Sequence, residues 1–341
     1  MVKKLTLITA LVSLTGFSAF SQQPTKFKHR PLLEEYTGFW CEWCPKGYIA
    51  MEIINEQYGD DQVTISFHHK DDLAVTSTFP VSFVGVPVAT INRGKLLDPY
   101  YGTTEREDMQ IATLLEEAMA EDAIAMVEVE AEFDGVNLNA NAKAVFGDNF
   151  DDANYQIGYI LVSDNLSNSR WRQSNEYYYY QDAEWIKGTP LEEVASWGFY
   201  VRGLVYNFVA IDAKGMMGIK NSLPSSIQAG ETYEHSYSFN VASNPVVQNP
   251  DDIGVVAFIV DKNTGRTINS AKFMLNSKVE DPGTGDDETT SVDSVVDSEI
   301  VSSEYFDLTG KRILNPEKGI YIVKETLSDG TVNKRKIAKT L

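Results

Sequence analysis

Two cysteines, the only ones in the 341-residue sequence, stand three positions apart at Cys41 and Cys44. A Cys-x-x-Cys motif can form a redox-active disulfide, and the signal is stronger where a strand precedes it and a helix follows, as predicted here. The positive end of a helix stabilises a thiolate, and we expect Cys41 at that position as the attacking thiol. Cys44, one turn later, would resolve the mixed disulfide. The carboxylate of Glu42 opposes this stabilisation and predicts a more reducing couple.

The elements that must position this motif alternate between strand and helix. Residues 31–36, 63–67 and 86–92 have the apolar and alternating patterns of strands. Residues 45–58 and 105–120 have the apolar stripe of amphipathic helices. Strands interleaved with helices indicate an α/β layer structure, which we assign to residues 22–121.

The pattern changes to all-β after this range. Residues 126–133 alternate between apolar and polar types, and a turn at 134–135 leads into a strand at 136–145. Short strands separated by turns predict an Ig-like β-sandwich over residues 122–276. The aromatic-rich run 171–185 is predicted as an insertion that either covers one end of the sandwich or acts as a recognition loop. The further strands are predicted at 157–162, 201–211, 232–241, 253–260 and 266–274, with a hairpin turn at 263–265.

The residues around the motif resemble the thioredoxin-like family. Trp40 directly precedes the first cysteine, as in thioredoxins, and Glu35 stands six residues before that cysteine, where the family has a buried acid. Val86 and Pro87, after Gly85, match the family's cis-proline loop at the start of a strand. The resemblance covers roughly residues 26–121.

This resemblance implies a role for each matching residue. Glu35 would accept a proton from the resolving thiol, and Val86 and Pro87 would dock the substrate chain, with Trp40 and Trp43 as further substrate contacts. The sequence departs from the family at Glu42-Trp43, where Gly-Pro is usual, and at Glu35, where Asp is usual. More narrowly, the sequence EYTG before the motif and VPVATINR at 86–93 resemble the thioredoxin-fold outer-membrane proteins of Bacteroidetes, in which a β-sandwich follows the redox-like domain.

The N-terminal sequence and the net charge limit where the protein can be located and which partners it can bind. Lys3 and Lys4 precede an apolar run at 5–20, with small residues at 19 and 21, so residues 1–21 are a predicted secretory signal peptide. No other stretch is long and apolar enough to predict a membrane span in the mature chain. A formal net charge of −20 lacks the Lys/Arg footprint that binding to nucleic acid requires.

An acidic segment and a basic tail complete the chain. Residues 277–299 carry eight acids against one lysine among Pro, Gly, Ser and Thr, which predicts a flexible linker at 277–300. Residues 301–341 predict a small domain of three strands. The sequences YFDLTGKR at 305–312, GIYIV at 319–323 and KRKIAK at 334–339 resemble a Bacteroidetes C-terminal sorting domain of the type IX (Por) secretion system. This resemblance implies that the type IX machinery is a partner and that the protein is exported through the periplasm to the cell surface, the outer membrane or the medium.

Three functions remain open on the sequence. The first is an exported thiol–disulfide oxidoreductase that acts on protein disulfides. The second is a non-catalytic surface or outer-membrane binding protein on a thioredoxin-like scaffold with a structural disulfide, whose surface ligand the sandwich and its tyrosine-rich insertion would recognise. The third is a Cys-x-x-Cys metal carrier, for which two soft ligands are visible. His68 and His69 are adjacent on a predicted strand and point to opposite faces, so we predict no metal site and no other cofactor.

Overall fold

The computed structural model describes residues 25–75, 79–100 and 111–278, and the strands of the C-terminal tail between residues 300 and 339. The predicted signal peptide and residues 279–299 of the predicted linker lie outside this part of the chain. The described chain is mixed α/β, with several sheets and few helices. The α-helices are α1 (Pro45–Tyr58), α2 (Ile111–Ala120) and α3 (Pro190–Ser196).

The strands, in chain order, are β1 (Phe27–Lys28), β2 (Leu32–Thr37), β3 (Val63–His68), β4 (Val88–Ile91), β5 (Asp122–Ala123), β6 (Ala125–Phe133), β7 (Asn137–Phe146), β8 (Tyr155–Ser163), β9 (Arg172–Ser174), β10 (Tyr200–Arg202), β11 (Val209–Lys214), β12 (Thr232–Asn240), β13 (Ile253–Asp261), β14 (Thr267–Met274), β15 (Ile300–Phe306), β16 (Arg312–Ile313), β17 (Gly319–Leu327) and β18 (Val332–Lys339). The predicted helix at 45–58 is confirmed, and the predicted strands at 31–36 and 63–67 correspond to β2 and β3. Of the helix predicted at 105–120, α2 confirms the part from residue 111 onward, and 101–110 lie outside the described residues.

A seven-stranded sheet in the order β14-β13-β8-β11-β3-β2-β4 forms the centre of the molecule. Strand β3 pairs in parallel with both β2 and β11, whereas β8, β13 and β14 continue the sheet by antiparallel pairing. Three of its strands come from the predicted α/β range and four from the predicted sandwich range. One sheet therefore contains strands from both predicted domains, and the described part of the chain shows no separation into two units at this point. The domain boundary between residues 121 and 122 stays a prediction.

A second sheet, β12-β7-β6, packs against the part of the large sheet contributed by the later strands. The alternating sequence of β6 buries every second residue, as its pattern predicts. Val127 and Leu138 from this small sheet share a buried cluster with Leu161 and Val255 from the large one. Strands β6 to β8 and β11 to β14 therefore form two layers with a common core.

Two of the strand predictions differ from the structure. The single strand predicted at 201–211 is two strands, β10 and β11, in two different sheets. The chain between them breaks out of the extended conformation at Gly203 and Phe208, where φ is 72° and 59°. The C-terminal tail has four strands, in the order β16-β15-β17-β18, where three were predicted. Residues 307–311, 314–318 and 328–331 of the tail lie outside the described residues.

Strand β3 carries apolar side chains on one face and polar side chains on the other. Val63, Ile65 and Phe67 pack into the core on one side of the sheet. Thr64, Ser66 and His68 point to the opposite side and are also buried, because helix α1 covers that face. The alternation therefore does not mark a solvated face here.

A buried ion pair lies at the neighbouring strand β2. The Arg93 guanidinium lies 3.1 Å from a Glu34 carboxylate oxygen, and both side chains are almost fully excluded from solvent. Arg93 also donates to the carbonyl oxygen of Met216 and stacks over the ring of Phe258. These contacts connect the loop after β4 to the turn after β11.

Candidate functional site

Cys41 and Cys44 form a disulfide at the start of helix α1, with their Cα atoms 5.3 Å apart. Cys44 occupies the N-cap, and its carbonyl oxygen accepts hydrogen bonds from the N–H groups of Gly47 and Tyr48. Cys41, which we expected at the helix N-terminus, lies in the turn that precedes it, because Pro45 is the first helical residue. Both cysteines are nearly inaccessible, with exposures of 5% and 1%.

Glu35 lies on β2 beneath the first turn of α1. Its register partner on β3 is Ser66, whose hydroxyl donates a 2.8 Å hydrogen bond to Glu35 Oε2. The other carboxyl oxygen, Oε1, is buried without a hydrogen-bond partner among the described atoms. Burial raises the pKa of the Glu35 carboxyl to about 7, although the hydrogen bonds from Ser66 and Thr37 oppose this shift.

Gly47 makes room for this carboxyl. A Cβ atom added at Gly47 would lie 2.0 Å from Glu35 Oε1, closer than any non-bonded contact allows. Since the Gly47 N–H also binds the carbonyl oxygen of Cys44, one residue connects the buried acid to the disulfide turn. Helix α1 can approach β2 at this point only with a glycine facing the carboxyl.

A row of buried polar side chains continues from Glu35 across the sheet. Thr37, Ser66 and His68 lie on the same face and line a small cavity of about 10 Å³ with Glu35, which is near the lower limit for one water molecule. The cavity has carboxyl, hydroxyl and amide groups around it, so it offers hydrogen-bond partners to a water. Glu35 therefore lies beside hydrogen-bonding groups although its side chain is shielded from bulk solvent.

His68 holds the loop that leads into the disulfide motif. Its Nδ1 atom lies 2.8 Å from a carboxylate oxygen of Asp71, and the same oxygen accepts the N–H of Phe39. The ring of His68 also packs edge-on against Phe39 and Tyr206. His69 points away, as expected for adjacent strand residues, and its carbonyl oxygen accepts the indole N–H of Trp40 at 2.7 Å.

Val86 and Pro87 lie on one side of the disulfide. The peptide bond between them is cis, as the resemblance to thioredoxins predicts, and the Val86 carbonyl oxygen lies 3.5 Å from Cys41 Sγ. An open groove runs from this point along Trp40, which is half exposed. The groove is lined by Trp40, His69, Phe79, Val81, Phe83 and Val86.

The opposite side of the motif is covered by residues 171–202, which we call the aromatic cover. This segment contains β9, 3-10 helices at Glu176–Tyr180 and Glu184–Ile186, α3 and β10, and β9 pairs with β10. From the sequence we predicted that the aromatic run covers one end of the sandwich or acts as a recognition loop. In the structure this run lies against the Cys-x-x-Cys motif. Neither strand order nor contact with the motif is encoded in the local pattern of this run.

Backbone and side-chain hydrogen bonds attach the aromatic cover to the motif. Gln173, which is buried, donates from its side-chain amide to the carbonyl oxygen of Cys41 at 2.9 Å. The N–H of Glu176 donates to the carbonyl oxygen of Glu42, also at 2.9 Å. The N–H of Ser174 donates to the carbonyl oxygen of Phe39. Gln173 and Glu176 were not identified from the sequence, since no spacing signal relates them to Cys41.

Trp43, between the two cysteines, packs into the aromatic cover. Its ring meets Tyr177 edge-on at 5.3 Å and lies 6.1 Å from the ring of Tyr180, yet 41% of the residue is exposed. The predicted substrate contacts are therefore divided between two sides of the disulfide. Trp40, Val86 and Pro87 lie on the groove side, and Trp43 lies on the side of the cover.

Two further observations bear on the class of site. The described residues contain no group of three or more His, Cys, Asp or Glu side chains arranged to hold a metal ion. Within the same part of the chain, no helix has the length and apolar character that crossing a bilayer requires.

No protein-family model matches the sequence, and no curated protein matches it significantly. Among solved structures the fold is similar to HBP35 of Porphyromonas gingivalis, with 16% identity and a TM-score of 0.47 over 92% of this chain and 99% of that one. A protein from Agrobacterium tumefaciens matches with 12% identity and a TM-score of 0.40 over 77% of this chain and all of that one. A domain of the outer membrane lipoprotein Omp28 from Porphyromonas gingivalis matches with 10% identity and a TM-score of 0.24 over 45% of this chain and 88% of that one. All three TM-scores lie below 0.5, and we base the function on this chain's own residues.

Proposed function

We propose that this protein is an exported, thioredoxin-like thiol–disulfide oxidoreductase whose redox centre is the Cys41–Cys44 disulfide. The observation that supports this most directly is the combination around the disulfide. Cys41 Sγ lies beside the Val86 carbonyl oxygen at a cis-proline, and the first turn of α1 lies over the buried carboxyl of Glu35. A disulfide that serves only as a structural staple requires neither feature.

The exchange chemistry balances with groups that are present. A substrate thiolate attacks Cys41 Sγ, the bond to Cys44 breaks, and Cys44 leaves as a thiolate. The protonated carboxyl of Glu35, whose pKa of about 7 makes both forms available, supplies the proton that Cys44 takes up, and it accepts that proton when the exchange runs in the opposite direction. A second substrate thiolate then attacks the substrate sulfur of the mixed disulfide and releases Cys41, so that the substrate is oxidised and the protein reduced.

A non-catalytic binding protein with a structural disulfide is the second candidate. The burial of both cysteines favours it, because an exchange catalyst must expose the sulfur that is attacked. In that case the aromatic cover would bind a surface ligand, and the disulfide would hold the turn against the cover.

We also propose the architecture and the location that the sequence predicts. Residues 22–121 would be a thioredoxin-like unit, 122–276 an Ig-like sandwich joined to it through the shared sheet, and 301–341 a sorting domain recognised by type IX secretion machinery. Export through the periplasm to the cell surface, the outer membrane or the medium follows from the predicted signal peptide and that tail.

The reduction potential of the Cys41–Cys44 pair tests the proposal. Mature protein would be equilibrated with glutathione buffers and its thiols trapped for mass spectrometry. We expect a potential between about −120 and −270 mV, the range of exchange catalysts. A value below about −300 mV identifies a structural disulfide and overturns the proposal. Cys44→Ser should then accumulate mixed disulfides with substrate proteins through Cys41, and Cys41→Ser, the matched control, should accumulate far fewer.

A further inference from the structure

Exposed aromatic side chains are concentrated around the redox motif. Within the described part of the chain, every exposed aromatic residue belongs to the motif or to the aromatic cover, with exposures from 40% to 64%. Scattered exposed rings are ordinary on a protein surface, whereas a contiguous group marks an interaction site. The six residues are Trp40, Trp43, Tyr178, Tyr179, Trp185 and Tyr200.

Five of these rings, all except Trp40, belong to two clusters of ring contacts that the 3-10 helix at Glu176–Tyr180 joins. The ring of Trp43 lies 6.1 Å from that of Tyr180, which lies 5.5 Å from Trp185. Tyr178 and Tyr179, in the same 3-10 helix as Tyr180, are in ring contact with each other. Tyr179 then contacts Phe199, whose ring is 4.5 Å from that of Tyr200.

The cations next to these rings are engaged within the protein, whereas the acids Glu42 and Asp182 beside them are exposed. The Arg172 guanidinium stacks over the Tyr200 ring at 4.1 Å, and the Lys187 ammonium pairs with Glu184. The surface therefore presents ring faces and edges with acidic side chains between them, and its cations are already paired. Tyr and Trp are the residue types that contribute most to binding at protein interfaces, because they offer large apolar area and a polar edge.

We infer that Trp43, Tyr178, Tyr179, Trp185 and Tyr200 form a docking surface for the polypeptide segment that flanks a substrate cysteine, and that this segment carries apolar or aromatic side chains. The inference rests on the proposed function, since the substrate sulfur must come to Cys41, next to the turn that holds Trp43. Residues on one side of that sulfur then extend over the cover. Segments of this composition are exposed in incompletely folded polypeptides and buried in folded ones, so the former are the substrate class.

Two synthetic dithiol peptides, one with Phe and Leu around its cysteines and one with Ser and Thr, test this inference. We expect the oxidised protein to react roughly tenfold faster with the apolar peptide than with the polar one. Two aromatic contacts can supply the binding free energy that a tenfold difference requires. In the variant with Tyr179→Ser and Trp185→Ser the ratio of the two peptide rates should fall to about one, and the rate with dithiothreitol, measured alongside, corrects for any change in access to the disulfide. The variant with Val136→Ser and Met217→Ser, which removes exposed apolar residues elsewhere, should keep the preference.

Binding of cysteine-free versions of the two peptides, followed by calorimetry, separates this inference from the proposed function. One outcome is that neither dithiol peptide reacts, yet the cysteine-free apolar peptide binds and loses affinity in the variant with Tyr179→Ser and Trp185→Ser. That outcome overturns the redox function and supports the docking surface. If both dithiol peptides react at the same rate, the redox function stands and the docking surface is overturned. Binding of maltohexaose without binding of the apolar peptide also overturns it, because the surface would then be a carbohydrate site.

Discussion

The side-chain amide of Gln173 donates a 2.9 Å hydrogen bond to the backbone carbonyl oxygen of Cys41, across 132 residues of sequence. With the bond from the Glu176 N–H to the Glu42 carbonyl oxygen, it fastens the aromatic cover to the disulfide turn. Cys41 is only 5% exposed in this arrangement, and we expect the two bonds to resist the movement of the turn that would admit an attacking thiolate. The rate of disulfide reduction therefore depends on how firmly the cover is held.

Replacement of Gln173 by Leu should accelerate reduction of the disulfide. The variant loses one neutral hydrogen bond between cover and turn, so we expect the rate constant with dithiothreitol to rise roughly fivefold. Gln181→Leu is the matched control, because Gln181 donates to Tyr178 within the exposed part of the cover. A Gln173→Leu protein with a lower melting temperature and an unchanged reduction rate would show that the bond stabilises the fold without restricting access.

Replacement of Gly47 by Ala should destabilise the protein through Glu35. The added methyl group meets the Glu35 carboxyl at 2.0 Å, and overpacking of this kind costs about 1–3 kcal/mol of unfolding free energy. In a Glu35→Ala background the same substitution should cost clearly less, which urea unfolding of the four proteins measures as a coupling energy. Gly85→Ala serves as the control, since a Cβ there meets no atom within 4 Å. Equal costs of Gly47→Ala in both backgrounds would place the clash elsewhere.

The stability of the protein should fall as the pH rises from about 4.5 to 7. Burial raises the pKa of Glu35 from 4.5 in the unfolded chain to about 7, so the native state binds more protons in this window. The contribution of Glu35 is fully present below the unfolded pKa and is lost as the pH passes the native pKa; its size is on the order of 3 kcal/mol. Glu35→Gln should flatten this part of the stability curve. Burial also raises the pKa of Asp164, so the comparison is the difference between wild type and variant.

Removing one member of the Glu34–Arg93 pair should destabilise the sheet severely. Arg93→Met leaves the Glu34 carboxylate buried without its partner, which costs about 3–5 kcal/mol. The double variant with Glu34→Leu and Arg93→Met should recover most of that loss, because no charge remains buried. Chemical denaturation of wild type, Arg93→Met and the double variant compares their free energies of unfolding. A double variant no more stable than Arg93→Met would show that the unpaired Glu34 carboxylate is not the cause of the loss.

The elements next to the disulfide could be predicted from local sequence. Helix α1 begins at Pro45 and ends at Tyr58 as predicted, and β2 and β3 agree to within a residue or so, because short-range patterns determine them. The motif and its resemblance to thioredoxins identified Glu35, Val86 and Pro87 as neighbours of the disulfide, and the structure brings all three there. Their roles in exchange stay predictions.

The long-range relationships could not be predicted from the same patterns. The pairing of β11 with β3 joins residues some 140 positions apart, and the hydrogen bonds between the aromatic cover and the motif span similar separations in sequence. Likewise, the alternation in β3 does not reveal that helix α1 buries Thr64, Ser66 and His68. Sequence periodicity reports which residues share a face, but what covers that face is decided by tertiary packing.

The shared seven-stranded sheet also sets an order of events during synthesis. Strand β3 ends at His68, but its neighbour β11 begins only at Val209, about 140 residues later. At roughly 5–20 residues per second a ribosome needs on the order of 7–28 s to complete that interval. During this time the edge of β3 that β11 will occupy has no native partner, and an open edge pairs readily with other chains. A nascent chain that has passed the disulfide motif but not yet β11 therefore has an incomplete sheet with one open strand edge.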